Sequence, residues 1–213
     1  MNEHIVFFRE FLTEFKSTGS AIPSSPWAAK AMTNSLRRTT RPQNILEVGP
    51  GTGPVTVKIL EDMIDGDKLT ICELNPSFMQ ALQKKLSKDE NFNRHKENIT
   101  FFQGPVQELP TEEIFDVIIC AIPFTNLPVS AVEDIFKKLE LCSHRNTHIT
   151  FFEYIGLRQI GRIASIKERR ERLDRVSQFF ETLEAKYKKE TKRVWLNFTP
   201  INVHTLVPSE EAA

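Results

Sequence analysis

Cysteine is scarce: the 213 residues hold three, Cys72, Cys120 and Cys142, with no C-x-x-C pair among them. An odd count without paired spacing argues against a disulfide framework or a cysteine-built zinc site and fits a reduced cytoplasm. Net charge is absent as well. Lys plus Arg equals Asp plus Glu at 28 each, so no global field draws the chain to polyanions and any such attraction must be local. No apolar run exceeds Val117 to Phe124, far short of the roughly 20 residues a spanning helix needs, and the opening residues do not read as a signal peptide. The five histidines, His4, His95, His144, His148 and His204, lack ligand spacing, so no metal is expected. Internal repeats and low-complexity tracts are missing, and the length suits one α/β domain. The one marked charge bias runs from Arg158 to Arg193, with 12 basic against 6 acidic residues.

What the chain does have is Glu47-Val48-Gly49-Pro50-Gly51-Thr52-Gly53, placed directly after the apolar pair Ile45-Leu46. Glycines at alternate positions where a strand turns into a helix let the backbone adopt positive φ and approach a ligand closely, with N–H groups pointing outward. A second strand, Leu69 to Cys72, ends in Glu73, about 20 residues beyond the glycines, where an acid can accept both hydroxyls of a ribose. The spacing is G-x-G-x-G, not G-x-G-x-x-G, and Glu47 precedes the first glycine by two positions. An acid at the mouth of the first strand repels a pyrophosphate but suits a sulfonium and an ammonium, which points to S-adenosylmethionine.

Residues 3 to 16 form an amphipathic helix by spacing, with Ile5, Phe8, Leu12 and Phe15 on one face, widened by Phe7 and Phe11. A Gly, Ser and Pro-rich loop, Gly19 to Pro26, leads to a helix over Trp27 to Arg37 with Ser25 and Pro26 as its cap and first turn. From Ile45 the pattern alternates: helix Val55 to Ile64, strand Leu69 to Cys72, helix Pro76 to Leu86, strand Ile99 to Gln103, strand Asp116 to Cys120, helix Val129 to Leu141, strand His148 to Glu153. Such alternation predicts right-handed βαβ crossovers, a parallel sheet covered on both faces, and ligands at the carboxyl ends of the strands. A charged helix over Ile163 to Tyr187 follows, then strands Arg193 to Asn197 and Ile201 to Leu206.

The glycine motif and the acid on the second strand resemble the class I methyltransferases, whose first motif is E/D-x-G-x-G-x-G. The wider resemblance, over most of the chain, is to the bacterial phospholipid N-methyltransferases of the phosphatidylethanolamine type. It is carried by Phe7-Phe8-Arg9-Glu10-Phe11-Leu12, Gly19 to Ser25, Leu46 to Gly53, Ala121-Ile122-Pro123-Phe124 and Arg193 to Pro200. The resemblance implies a Rossmann-like α/β fold, with a seven-stranded, mostly parallel sheet, helices on both faces and a closing antiparallel hairpin. It also implies an N-terminal helical cap over 1–40 that meets the membrane, a methyltransferase domain over 41–208 and a short tail over 209–213.

In this reading Glu47, Gly49, Gly51 and Gly53 hold the methionine part of the cofactor and Glu73 the ribose, with Leu74, Gln103, Gly104 and Ala121 completing the shell. Strand three ends Phe102-Gln103-Gly104-Pro105, without the acid that class I enzymes often place there for the adenine amine, so Gln103 or the Val106 backbone has to serve. The adenine-directed enzymes read N/D-x-P-F/Y where this chain has Ala121-Ile122-Pro123-Phe124, and an alanine cannot accept a bond from a base. Nucleic acid is therefore not the expected partner. Phe124 and Tyr154 are the expected catalytic residues, and with Trp195 they are placed to surround a quaternary ammonium product. Tyr154 or Glu153 takes the amine proton through water. Phe7, Phe8, Phe11, Ser24, Ser25, Pro123 and Trp195 are assigned to the lipid substrate and the cytoplasmic membrane face. The competing readings are a ribosomal RNA adenine or small-amine methyltransferase and a non-catalytic S-adenosylmethionine-binding protein.

Overall fold

Ile45, Leu46, Leu69, Ile71, Val117, Ile118, Ile119 and Ile149 are all at most 1 % exposed, so the central strands are apolar on both faces, as a parallel sheet between two helical layers requires. The structure is a computed structural model that describes residues 24–124, 127–155, 167–184, 186–197 and 199–208. The expected helix over 3–16, the residues Phe7, Phe8 and Phe11, and the tail lie outside the described residues.

Seven strands form one sheet: β1 (Asn44–Val48), β2 (Lys68–Glu73), β3 (Ile99–Gln103), β4 (Phe115–Cys120), β5 (Ser143–Tyr154), β6 (Tyr187–Val194) and β7 (Ile201–Pro208). Their order is β3-β2-β1-β4-β5-β7-β6, parallel through β5 and antiparallel for the last two. The helices are α1 (Pro26–Met32), α2 (Pro54–Asp62), α3 (Pro76–Leu86), α4 (Glu90–His95), α5 (Val129–Leu141) and α6 (Lys167–Glu184). Among the described residues no helix is long and apolar enough to cross a membrane.

The caps explain where the helices begin. Ser25 Oγ accepts from Ala28 N–H at the start of α1, Asn75 Oδ1 from Ser77 and Phe78 N–H at α3, and Asp89 from Phe92 N–H at α4. Proline stands in the first turn of α1, α2 and α3, where its missing N–H costs nothing. Although α1 belongs to the expected cap, it buries Ala28, Ala29, Ala31 and Met32 with Ile45, Ile59 and Val203 in one of the two cores.

The other core is aromatic. Phe124, Phe136, Phe151 and Phe180 meet at ring-centroid distances of 4.9 to 6.0 Å and join α5 and α6 to β4 and β5. Such pairs add to the free energy of simple area burial. Phe124, expected to face the acceptor, is 1 % exposed inside this cluster. Its ring turns inward because three other phenylalanines offer more apolar contact than a solvated crevice does. Phe124→Ala should therefore lower the unfolding free energy by about 3 to 5 kcal/mol, read as a shifted urea midpoint, as expected for a core ring.

Candidate active site

The carboxyl ends of β1 to β5 lie along one edge of the sheet, and there the chain makes its least ordinary backbone. Gly49, Gly51 and Gly53 have φ of 73°, 56° and 78°. Two of them are confined. A Cβ on Gly49 would stand 2.9 Å from Ile122 Cγ1, and one on Gly53 would collide with the Leu82 side chain. A Cβ on Gly51 would meet no atom within 4 Å, so the loop is open on its outer side at that residue. Gly53 also caps α2, whose first N–H groups point into the turn.

Glu73 ties this loop to the next strand. Its Oε2 accepts from Gly51 N–H at 3.2 Å and its Oε1 from Asn75 N–H at 2.8 Å. Burial pushes its pKa upward, while the backbone N–H groups of Asn75, Gly51 and Leu74 pull it back. Lys85 Nζ donates to the Thr52 carbonyl at 3.0 Å. Glu73 and Lys85 thus hold consecutive residues of the turn. Cys72 Sγ donates to the Gly104 carbonyl at 3.5 Å and Gly104 N–H donates to the Glu73 carbonyl at 3.1 Å, which fixes the exit of β3 beside that of β2. Burial drives the Cys120 thiol up to about 12 and raises those of Cys72 and Cys142, so all three stay protonated at neutral pH.

Glu47 lies under the loop on β1, fully buried. Neither carboxyl oxygen has a hydrogen-bond partner, and the Thr56 hydroxyl of α2 is likewise unpaired. Desolvation lifts Glu47 to about 8, the nearby Thr56 hydroxyl, which does not reach hydrogen-bond geometry, lowers it in part, and the Glu73 charge raises it further. A buried carboxyl without partners is costly unless something cationic or hydrogen-bonding completes it.

The other expected residues divide. Leu74 is buried behind Glu73. Gln103 is exposed at the end of β3, on a groove of about 430 Å³ shared with Pro76, Ser77, Gln80, Gln83 and Phe101. Ala121 N–H donates to the Val48 carbonyl at 2.8 Å, holding β4's exit against β1. Pro123 is half-buried, and Ser24 sits partly exposed before α1. The Ser25 hydroxyl, assigned to substrate from the sequence, is committed to capping α1, and its N–H donates to Asn197 Oδ1 at 2.9 Å. That bond brings α1 to the β6–β7 turn, which lies at the same sheet edge because Val194 and Ile201 pair level with Tyr154.

Tyr154 packs edge-on to Phe152, and burial raises its phenol, which makes it a hydrogen-bond donor at neutral pH rather than a base. The carboxylate of Glu153 is bonded to His204 Nε2 at 3.0 Å, and Thr191 Oγ1 lies 2.9 Å from His204 Nδ1. Trp195 is 62 % exposed beside the Arg193 guanidinium, whereas Phe124 is turned into the core, so the two rings do not face a common cavity. Sequence reasoning missed Lys85, Asn75, Ile122 and Asn197. Of these Asn75-Pro76 carried a helix-start signal, and Ile122 and Asn197 lay inside segments that carry the resemblance without a role of their own.

Residues 45–142, from β1 through α5, match a protein-family model described as a methyltransferase domain. That segment is a methyltransferase domain, and the fold around it is of the class I type. The chain is 23 % identical over 138 residues to an ornithine lipid N-methyltransferase from Singulisphaera acidiphila, covering 64 % of this chain and 70 % of that protein. Among solved structures it resembles an O-methyltransferase from Bacillus cereus in complex with SAH at 16 % identity and a TM-score of 0.64, covering 98 % of this chain and 92 % of that one. It also resembles an O-methyltransferase of tomaymycin synthesis from Streptomyces achromogenes in complex with SAM at 14 % identity and a TM-score of 0.63, covering 98 % and 91 %. These likenesses establish the seven-stranded fold.

The residues present fit S-adenosylmethionine, the cofactor expected from the sequence. The unpartnered Glu47 carboxyl suits a cationic ligand, and the loop is open at Gly51 where a backbone N–H already meets Glu73.

The raised pKa of Glu47 sets a pH test. Its folded value of about 8 exceeds its ordinary 4.5, so its cost is absent below about 4.5 and grows as the pH rises toward 8, because the unfolded chain loses the proton first. Glu47→Gln without cofactor should match the parent protein near pH 5. By pH 8 it should be the more stable by up to about 1.4 kcal/mol per intervening pH unit. Parallel urea midpoints for the two proteins at both pH values would show that Glu47 does not carry a proton.

Proposed function

We propose that this methyltransferase domain transfers a methyl group from S-adenosylmethionine to the amine of a lipid, of the phosphatidylethanolamine type, at a membrane surface. The observation that carries the reading is the acceptor side of the crevice. The backbone there is Ala121-Ile122-Pro123, with no side chain able to read a base by hydrogen bonding, and the relative at 23 % identity is named for methylating a lipid amine.

When bound, the cofactor supplies an electrophilic methyl on a sulfonium. The chain's own residues bind, orient and exclude water. Glu47 would hold the cationic methionine part, the turn at Gly49, Gly51 and Gly53 its backbone-facing side, and Glu73 the ribose, using the carboxylate lone pairs left beside Gly51 and Asn75. Positioning accounts for much of the acceleration in such displacements. The amine loses a proton in the reaction. Glu153, already bonded to His204, suits that transfer through water better than the raised phenol of Tyr154.

Glu73→Ala should weaken S-adenosylmethionine binding in calorimetry by about 1.5 to 3 kcal/mol, the worth of a charge-assisted contact. Unchanged affinity would mean that the ribose lies elsewhere. The acceptor is tested by incubating the protein and labelled cofactor with phosphatidylethanolamine vesicles, ribosomal RNA or a small soluble amine. Label in the lipid alone is expected. Label only in RNA or the soluble amine would overturn the lipid assignment, and cofactor binding without transfer to any of them would mark a non-catalytic binder.

A further inference from the structure

The chain contains two tryptophans, Trp27 and Trp195, and both are exposed, at 56 % and 62 %. Leu196, next to Trp195, is 63 % exposed. The three belong to one locality. Ser25 N–H donates to Asn197 Oδ1, so Trp27 stands two residues beyond one end of that bond and Trp195 two residues before the other. This is the rim of the sheet edge that holds the glycine loop, since the β6–β7 turn follows Val194 and precedes Ile201.

The strand that leads to the rim is cationic. β6 is the outermost strand, and Lys188, Lys192 and Arg193 are exposed along it, with Glu190 its one acidic residue. The Arg193 guanidinium lies 5.6 Å from the Trp195 ring centroid, so charge and aromatic surface are presented together. Lysines on an open edge strand also discourage pairing with another chain. That role accounts for the cations but not for three large apolar side chains left in water at the strand's end. Indole rings flanked by cations are instead the composition of an interfacial anchor, the rings at headgroup level and the charges on anionic phosphates.

We propose that Trp27, Trp195 and Leu196 insert into an anionic bilayer, with the β6 cations against its headgroups, so that the rim of the methyltransferase crevice is seated on the membrane. This deepens the lipid-acceptor reading and rests on it for its role, yet it is tested without methyl transfer. The full chain is mixed, without cofactor, with phosphatidylglycerol–phosphatidylcholine vesicles, which carry no primary amine, and with the same vesicles bearing brominated acyl chains. Because both tryptophans lie in the patch, their emission reports it directly. In Trp27→Phe and Trp195→Phe, each keeping one indole, the expected result is a blue shift and loss of intensity with the brominated lipid. Both effects should fade in pure phosphatidylcholine and in high salt, where screening weakens the cations. Leu196→Asp should lower vesicle partitioning while leaving S-adenosylmethionine affinity unchanged, which separates a lost anchor from a lost fold. Co-sedimentation with unshifted, unquenched tryptophans would place the membrane contact elsewhere on the chain and overturn the proposal, as would no sedimentation at all. Either result leaves methyl transfer to detergent-dispersed phosphatidylethanolamine as a separate reading of the acceptor.

Discussion

The loop after β1 must reverse direction between two walls that leave no room for a side chain. Ile122 stands against Gly49 and Leu82 against Gly53, and both glycines hold positive φ. Most of the site depends on this confinement. Ile122 follows Ala121, whose N–H is bound to the Val48 carbonyl, so the exit of β4 is set by the same packing that shapes the turn. Leu82 lies on α3, whose start is fixed by Asn75, and Asn75 in turn donates its N–H to Glu73. The acid at the end of β2, the turn after β1 and the exit of β4 are therefore one mechanical unit.

Within that unit the two carboxyl groups are treated differently. Glu73 accepts two backbone N–H groups and stays tied to the turn it helps to shape. Glu47 accepts none and is held near the protonated form by burial. The contrast is an energetic asymmetry of the sort that binding sites use. The fold satisfies one group's interactions and leaves the other's cost in place, an arrangement that suits a cationic ligand. Stability is sacrificed at Glu47, since a glutamine of the same shape has no charge to desolvate.

Much of this was legible in the sequence, because the signals were local. The glycine motif, Glu73, the proline-led starts of α1 and α3, and α5 from Val129 to Leu141 follow from residue type and spacing. The departures have physical causes. The fifth strand begins at Ser143 and the sixth runs from Tyr187 to Val194, where the sequence suggested His148 and Arg193 as their starts. Charged residues, mostly lysine, dominate β6, and a two-sided polar edge strand shows no alternation to read. The short helix Glu90–His95 was missed because its one start signal, Asp89, precedes a polar stretch too short for periodicity. Phe124 was misassigned because a motif gives a residue's place in the chain but not the direction of its ring. Lys85 and Asn197 act across 33 and 172 residues, beyond any local pattern.

The inward turn of Phe124 has a consequence for selectivity. In the proposed reading, with that ring in the core, the exit of β4 offers the acceptor only Ala121 and Pro123, small or apolar groups without a side-chain hydrogen bond to give. Discrimination must then come from what else reaches the sheet edge. Among the described residues these include the start of α1 and the β6–β7 turn, joined by Ser25 and Asn197. Neither belongs to the segment 45–142 that marks the methyltransferase domain. On that reading the cradle for the donor is built from that segment, while acceptor choice falls to elements packed on from outside it. That separation is how one sheet serves chemistries that differ only in who receives the methyl group.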